Sequence, residues 1–183
     1  VPYSVNAPFW SDGLYKQRFL VLPPGEGIGY TRNRGWNFPD KTVLVKSFAG
    51  EPGKWAETRF LTKQDGEWYG YSYAWNDEQS EGSLVEANGR DRDFTIRVPP
   101  SKEHPDGVRK QTWHYPSRTE CMVCHSRAAN WVLGLSEGQM NREHDYGGVR
   151  ENQIRVFERL GMFKTDKNGA VRGLAKVAPE KLL

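Results

Sequence analysis

Residues 1–16 are irregular, but from Gln17 to about residue 115 short apolar runs and positions that alternate with a period of two are typical of β-strands. The clearest local signal is a hairpin of residues 57–63 and 67–75, whose Asp65-Gly66 turn supplies the positive φ angles that a two-residue turn needs. Further short strands are predicted at residues 19–22, 28–30, 42–48, 83–87, 94–98 and 110–115, because each is apolar or β-branched and bounded by turn residues. This spacing predicts a β-sandwich or jelly-roll-like sheet.

After Pro116 the pattern changes to that of helices. Ser117 and Glu120 have the spacing of a capping box, so we predict a helix that begins near Arg118 and reaches about Ala129. The fold class is therefore expected to be α+β, with a β-rich part at 1–115 and a helical part at 116–183. Both parts are expected to form a single cooperative unit over 1–183, because only one proline separates the last strand from the helix.

The remaining helical part is predicted from shorter signals. Residues 151–160 have Ile154, Phe157 and Leu160 on one apolar face, and Gly161 follows as a helix end. We expect a loop at 141–148, a small hairpin at Asn168-Gly169, and the beginning of another helix in the tail at 174–183.

The first predicted helix carries the strongest chemical signal, Cys121-Met122-Val123-Cys124-His125. Two cysteines separated by two residues and followed by histidine form the attachment pattern of a c-type haem. Residues three apart share one helix face, so both thiols can form thioethers to the same porphyrin. His125 is then the expected proximal iron ligand, and the predicted cofactor is one covalent haem c.

Two other uses of the cysteines were weighed against haem attachment. A dithiol redox pair is typical of a strand–helix context with alternating βαβ units, which this chain lacks. A zinc site needs further ligands, and the sequence has no third cysteine and only the loosely spaced His104, His114 and His144. Haem attachment is favoured over these uses and over a plain disulfide, and because the motif includes every cysteine of the chain, a chance occurrence of the pattern is disfavoured.

The sixth iron ligand is open between several residues. Met140 lies at an expected change from helix to loop and has no periodic reason to be apolar, whereas His114 lies on the strand that leads into the haem helix. Met162 and His144 come next, and an open sixth site is the remaining possibility. Arg118 and Arg127 flank the motif, as does Arg142, and are candidate partners of the haem propionates.

Tyr69, Tyr71, Tyr73 and Trp75 fall on one face of a predicted strand. Such a stripe favours a sheet face packed on the core. The alternatives are a sugar-stacking surface and a wall against the haem.

The net charge and the lengths of the apolar stretches limit the kinds of partner that the sequence indicates. With a net charge of +3 in 183 residues and no run of Lys or Arg, the chain does not indicate a nucleic-acid partner. No apolar stretch approaches the roughly 18 residues of a membrane span. The start at Val1, without an initiator methionine, together with covalent haem, favours a processed segment of a periplasmic or otherwise exported protein.

Several stretches together resemble an uncharacterised family of exported bacterial c-type cytochromes. The resemblance covers nearly the whole chain, and the stretches that carry it are Ser11-Asp12-Gly13, Trp36-Asn37-Phe38-Pro39, residues 43–46, Glu57-Thr58-Arg59, Tyr73-Ala74-Trp75-Asn76, residues 116–121 and Gln139-Met140-Asn141-Arg142. Members typically carry two haems, whereas this chain has one haem motif. The resemblance implies an exported haem protein that transfers electrons to a redox partner protein or to a neighbouring cytochrome domain of the same polypeptide.

Three functions follow as hypotheses. An electron-transfer cytochrome is favoured. A peroxidase-like haem enzyme with an open or weakly held sixth site would need a distal base, and the sequence identifies no convincing one. A carbohydrate-binding module would use the aromatic stripe and keep the haem as a structural group.

Overall fold

The computed structural model describes residues 1–171, 173 and 174, and most of its regular structure is β-strand. These described residues form nine strands: β1 (Tyr15–Val21), β2 (Val43–Glu51), β3 (Lys54–Gln64), β4 (Glu67–Trp75), β5 (Gly82–Leu84), β6 (Arg90–Arg97), β7 (Val108–Tyr115), β8 (Glu143–Asp145) and β9 (Arg150–Asn152). Three short helices follow or interrupt them: α1 (Arg118–Cys124), α2 (Glu137–Met140) and α3 (Gln153–Arg159), with a 3-10 turn at Arg127–Ala129.

Strands β1 to β5 form one antiparallel sheet in which every strand pairs with the next in sequence. The predicted hairpin is confirmed: Gln64 pairs with Glu67 across a two-residue turn, in which Asp65 has φ 50° and Gly66 has φ 82°. The β-rich, antiparallel part of the prediction is therefore correct. The jelly-roll-like arrangement is not, because the described strands form a meander and two separate two-stranded ribbons, β6–β7 and β8–β9.

One face of the five-stranded sheet packs on two separate hydrophobic clusters. At one end, Leu20, Leu44, Leu61 and Trp68 belong to the first core, which also contains Tyr3, Val5, Ile28, Trp36, Phe38, Val132, Leu135, Met140, Ile154, Phe157, Met162 and Phe163. At the other end, Phe48, Ala56 and Ala74 belong to the second core, together with Leu14, Val85, Ile96, Trp113 and Tyr115. The β6–β7 ribbon thus covers one end of the sheet.

The first core joins the two parts of the chain that the sequence distinguishes. It combines residues from the N-terminal segment and the sheet with residues from α2, α3 and the segment after α3. This shared burial agrees with the prediction of a single cooperative unit, which remains a prediction for unfolding experiments. No helix of the described residues has both the length and the apolar character that a bilayer crossing requires.

The aromatic stripe on β4 was predicted to face the core, and this prediction is wrong. Along β4 the buried residues are Trp68, Gly70, Ser72 and Ala74, whereas the intervening stripe residues are exposed or half-buried. After Trp68 the buried face carries the small residues Gly70, Ser72 and Ala74, because α1 and the second core approach it closely. The larger aromatic side chains therefore occupy the outer face.

The helical signals were partly correct. Helix α1 begins at Arg118 with the predicted capping box, in which the Ser117 side chain accepts from the Glu120 backbone N–H and the Glu120 side chain accepts from the Ser117 backbone N–H. It ends at Cys124, five residues before the predicted Ala129, since His125 leaves the helical conformation and only a 3-10 turn follows.

Other boundaries also differ from the predictions. Helix α3 ends before Gly161 as expected, but Leu160 is 58% exposed and is not part of its buried face. Residues 28–30 form only isolated bridges, and the expected loop at 141–148 contains β8. The small hairpin at Asn168-Gly169 is reduced to a single bridge between Thr165 and Val171. The helix expected in the tail falls, apart from Leu174, outside the described residues.

Candidate functional site

Two glycines allow α1 to lie directly on the sheet. The turn after β5 places Gly89, with φ 73°, against the junction between β7 and α1, where a Cβ atom would come within 2.5 Å of the Tyr115 carbonyl oxygen. On β4, a Cβ atom at Gly70 would lie 2.7 Å from Cys121 Cβ and 3.0 Å from its Sγ. The helix that carries the two cysteines is thus seated on β4 with no room for a side chain between them.

Cys121, Cys124 and His125 line one cleft of about 270 Å³ between α1 and the buried face of the sheet. Neither cysteine forms a disulfide; Cys121 is half-buried and Cys124 is exposed. Apolar and aromatic residues supply much of the remaining wall: Tyr3, Val5, Phe9, Trp10, Leu44, Val45, Phe60, Leu61, Tyr71, Pro116 and Leu133. Trp10 is 82% exposed, so the cleft reaches the surface on the side of the N-terminal segment.

His125 is held by one hydrogen bond to the backbone. Its Nδ1 lies 2.7 Å from the Trp131 carbonyl oxygen. Because a carbonyl can only accept, Nδ1 carries the proton and Nε2 keeps its lone pair. Burial lowers the pKa of His125, which favours the same neutral form. The imidazole is therefore oriented like that of a metal-ligating histidine, whose second nitrogen donates to a backbone oxygen.

The carbonyl that accepts from His125 is positioned by a tight reversal after α1. Asn130 and Trp131 both have left-handed backbone conformations, with φ 51° and 64°. The Asn130 side-chain Nδ2 donates to Gly35 O at 2.9 Å, Trp36 O at 3.1 Å and Asn37 Oδ1 at 3.0 Å. This amide therefore anchors the reversal to the 35–37 segment, and sequence reasoning did not identify it.

The sheet contributes a line of basic residues to the same cleft, between the two cores. Arg18 on β1 lies opposite Lys46 on β2, and Lys46 lies opposite Arg59 on β3. Cross-strand partners point to the same face, and all three residues line the cleft with the cysteines. We refer to these three residues as the basic row.

Within the part of the chain that the structure describes, only one member of the basic row has a side-chain carboxylate partner. Arg59 donates to both oxygens of the fully buried Glu57, at 2.7 and 2.8 Å. The Glu57 carboxylate also accepts from Ser72 Oγ and from Trp113 Nε1, which connects it to the second core. Glu57 is thus engaged by Arg59, Ser72 and Trp113, and no carboxylate of the described residues forms an ion pair with Arg18 or Lys46.

Burial dominates the electrostatics of the cleft. It lowers the pKa of Lys46 to about 7, and the neighbouring positive charges of Arg18 and Arg59 act in the same direction. Burial also raises the pKa of Tyr3 to about 12 and raises that of the Cys121 thiol. A negatively charged ligand would offset the free-energy cost of burying these cations in the cleft.

The predicted sixth ligands lie elsewhere. Met140 is fully buried in the first core, and Met162 is buried in the same core. His114 is about half exposed and engages both ring nitrogens, with Asp91 Oδ1 at 2.6 Å and Glu120 Oε2 at 3.1 Å. His144 faces Ser4 and stacks edge-on to Tyr146. None of these four residues lines the cleft.

The predicted propionate partners also lie outside the cleft lining. The Arg118 guanidinium stacks on the Tyr71 ring with its Cζ 5.2 Å from the ring centroid. Arg127 is exposed on the 3-10 turn, and Arg142 donates to the Val5 carbonyl oxygen at 2.6 Å. Of these, Arg118 is connected to the cleft through Tyr71, which is also the one stripe residue that forms part of its wall.

The donor set fits the requirements of a c-type haem. Two thiols and one imidazole with a free Nε2 share a cleft whose walls are apolar, and basic side chains are available for carboxylates. A conventional metal site is a different matter: residues 1–171, 173 and 174 contain no group of three or more His, Cys, Asp or Glu side chains that could hold a metal ion. A haem iron needs fewer protein ligands, because the porphyrin occupies its equatorial positions.

Comparisons of the chain with protein-family models, with curated proteins and with solved structures found no match.

Proposed function

We propose that this chain belongs to the class of covalent haem proteins of c type. The single observation that carries the proposal is that Cys121, Cys124 and His125 line one cleft while His125 Nδ1 is bound to a backbone carbonyl. In this assignment the two thiols attach the porphyrin and Nε2 of His125 binds the iron.

Within that class, the proposed function is electron transfer by a mono-haem cytochrome, either free or as a segment of a longer exported protein. The bound haem would supply the one-electron couple of its iron. The residues of the chain would orient it: α1 holds one edge, the aromatic wall excludes water from its faces, and the Trp131 carbonyl fixes the proximal imidazole. The redox partner is a separate protein or a neighbouring cytochrome domain.

A haem enzyme with an open sixth site is the second candidate, and one observation favours it. Met140, His114, Met162 and His144 all lie outside the cleft lining. A six-coordinate carrier would then take its distal ligand from another cleft residue or from a neighbouring domain. The carbohydrate-binding hypothesis has weaker support, namely that Tyr71, Tyr73 and Trp75 of the stripe line a shallow groove together with Phe60 and Leu84.

The first test is covalent attachment. The chain is produced with a c-type maturation system, separated under denaturing conditions and stained for haem, and its mass is measured. We expect one haem that resists extraction with acidified acetone, and at most one thioether in Cys121→Ala. Complete extraction of the colour from the wild-type protein would refute covalent attachment.

The second test separates the carrier from the enzyme. We expect low-spin spectra in both oxidation states and slow or no binding of carbon monoxide. Separate Met140→Ala and His114→Ala variants check the two predicted ligands, and conversion to high spin identifies the one that binds. A wild-type protein that is high-spin and binds carbon monoxide quickly would instead support the enzyme hypothesis. In either case His125→Ala should abolish the native Soret band.

A further inference from the structure

We propose that the basic row is a carboxylate-binding site and that it receives the two propionates of the haem. This inference rests on the proposed function, because it assigns one end of the same cleft. It differs from the expectation that Arg118 and Arg127 bind these groups.

The strand register places the row at a suitable distance from the cysteines. Adjacent strands lie about 4.8 Å apart, so β1 is about 14 Å from β4 across the sheet. Cys121 rests on β4 at Gly70, whereas Arg18 lies on β1 and Lys46 on β2. The vinyl and propionate substituents of a porphyrin lie on opposite edges. A group anchored at Cys121 and lying across the sheet would therefore direct its carboxylates toward the row.

Arg18 is the residue that most clearly lacks a partner. It is only 9% exposed, yet its Nη2 is buried without a hydrogen bond to any described residue. A buried guanidinium nitrogen without an acceptor costs free energy, and its presence in a ligand cleft indicates an acceptor that the protein itself does not supply. A planar guanidinium matches a carboxylate in a bidentate pair.

The charge balance agrees with a dianionic ligand. Like charges directly opposite each other on neighbouring strands destabilise a sheet. Glu57 pairs with Arg59, and no carboxylate of the described residues forms an ion pair with Arg18 or Lys46. Lys46 Nζ lies 5.9 and 5.0 Å from the ring centroids of Phe9 and Phe48, contacts that partly stabilise its charge but supply no acceptor. Two propionates would complete the pairing.

The experiment uses the full chain with Cys121→Ala and Cys124→Ala, so that haem binding is reversible and its affinity can be measured from the Soret band. This parent protein is titrated with haemin and, separately, with haemin dimethyl ester, which lacks free carboxylates. Arg18→Gln is then added to the parent. We expect its affinity for haemin to fall about 10- to 100-fold, the range for one charge-assisted hydrogen bond, and its affinity for the ester to stay unchanged.

Matched variants keep the result specific. Arg18→Lys retains the charge and should restore part of the lost affinity. Arg118→Gln and Arg127→Gln remove a nearby charge outside the cleft and should leave both affinities unchanged. Urea unfolding of each variant checks that the fold is retained. If Arg18→Gln does not fold, the affinities of Arg18→Lys and Lys46→Met for haemin and for the ester are compared with those of the parent instead.

The failures are distinguishable. Loss of all haem from the wild-type protein under denaturing conditions refutes the haem function and this inference together, whereas a parent that binds haemin no more tightly than its ester refutes the inference alone. If Arg18→Gln loses affinity for haemin and for the ester equally, the inference alone is refuted. A loss of affinity for haemin but not for the ester in Arg118→Gln or Arg127→Gln refutes it as well. Inorganic phosphate is also titrated into the haem-loaded wild-type protein. Binding that depends on Arg18 would assign the row to a free anion and overturn the propionate assignment.

Discussion

Replacing Asn130 tests whether the reversal after α1 positions His125, the proposed proximal ligand. In Asn130→Ala, the side-chain amide that donates to three oxygens is lost. Alanine, which has a Cβ atom but no side-chain amide, must also keep φ near 51°. Two net hydrogen bonds at about 0.5–1.5 kcal/mol each, plus about 1 kcal/mol for the left-handed conformation, give a loss of about 2–4 kcal/mol in unfolding free energy. Urea titration followed by tryptophan fluorescence measures this loss.

Asn130→Gly is the matched control, because glycine accepts the left-handed conformation but makes no side-chain hydrogen bond. It should therefore lose less stability than Asn130→Ala. In the haem-loaded protein both variants should raise the midpoint potential. Weakening the hydrogen bond to Trp131 O makes the imidazole less basic, and a less basic ligand stabilises the ferric iron less.

The reasoning would be refuted by a haem-loaded Asn130→Ala protein that lost stability while its potential and its spectra stayed unchanged. Asn130 would then stabilise the fold without positioning His125. A variant with wild-type stability would contradict the structural role of the amide as well.

Three further predictions follow from the contacts around α1. Gly70→Ala should lose about 1–3 kcal/mol by overpacking against Cys121, whereas Gly82→Ala, whose Cβ would meet its nearest neighbour at 3.7 Å, should lose much less in the same urea assay. Ser117→Ala should lose about 1 kcal/mol with the helix cap, and the loss should be smaller in Ser117→Asn. The hydrogen bonds of His114 to Asp91 and Glu120 raise its pKa. The contribution of His114 to stability is therefore complete below about pH 6.5 and is lost as pH rises through the raised pKa. The unfolding free energy of His114→Gln should thus differ from that of wild type more at pH 5.5 than at pH 9. An equal difference at both pH values would contradict the ion pairs.

Local sequence signals predicted the local structure well. The Asp65-Gly66 hairpin and the Ser117–Glu120 capping box depend on residues within a few positions of each other, and both are present. The aromatic stripe shows the limit of such signals. A period of two assigns residues to a face but does not say which face is buried, and here the small residues at Gly70 and Ala74 lie inside because other elements pack on them.

The sequence predicted the cysteine motif of the candidate site but not the residues that surround the motif in the folded chain. Arg18, Lys46 and Arg59 are separated along the chain, and each alone resembles an ordinary solvated strand residue. They form a row only through the register of three strands, which no local pattern specifies. Asn130 offered a weak signal, since asparagine tolerates a left-handed conformation, but its partners at 35–37 lie far away in sequence.

Under the proposed function, the contact between Gly70 and Cys121 has a consequence for biosynthesis. Once α1 has settled on β4, one thiol is half-buried while the other remains exposed, so the two cysteines are no longer equally accessible to an attaching enzyme. An enzyme that must reach both thiols and the histidine in one event would have to act before the helix closes on the strand. Delayed closure of this one contact would then determine how much of the newly made chain acquires its cofactor.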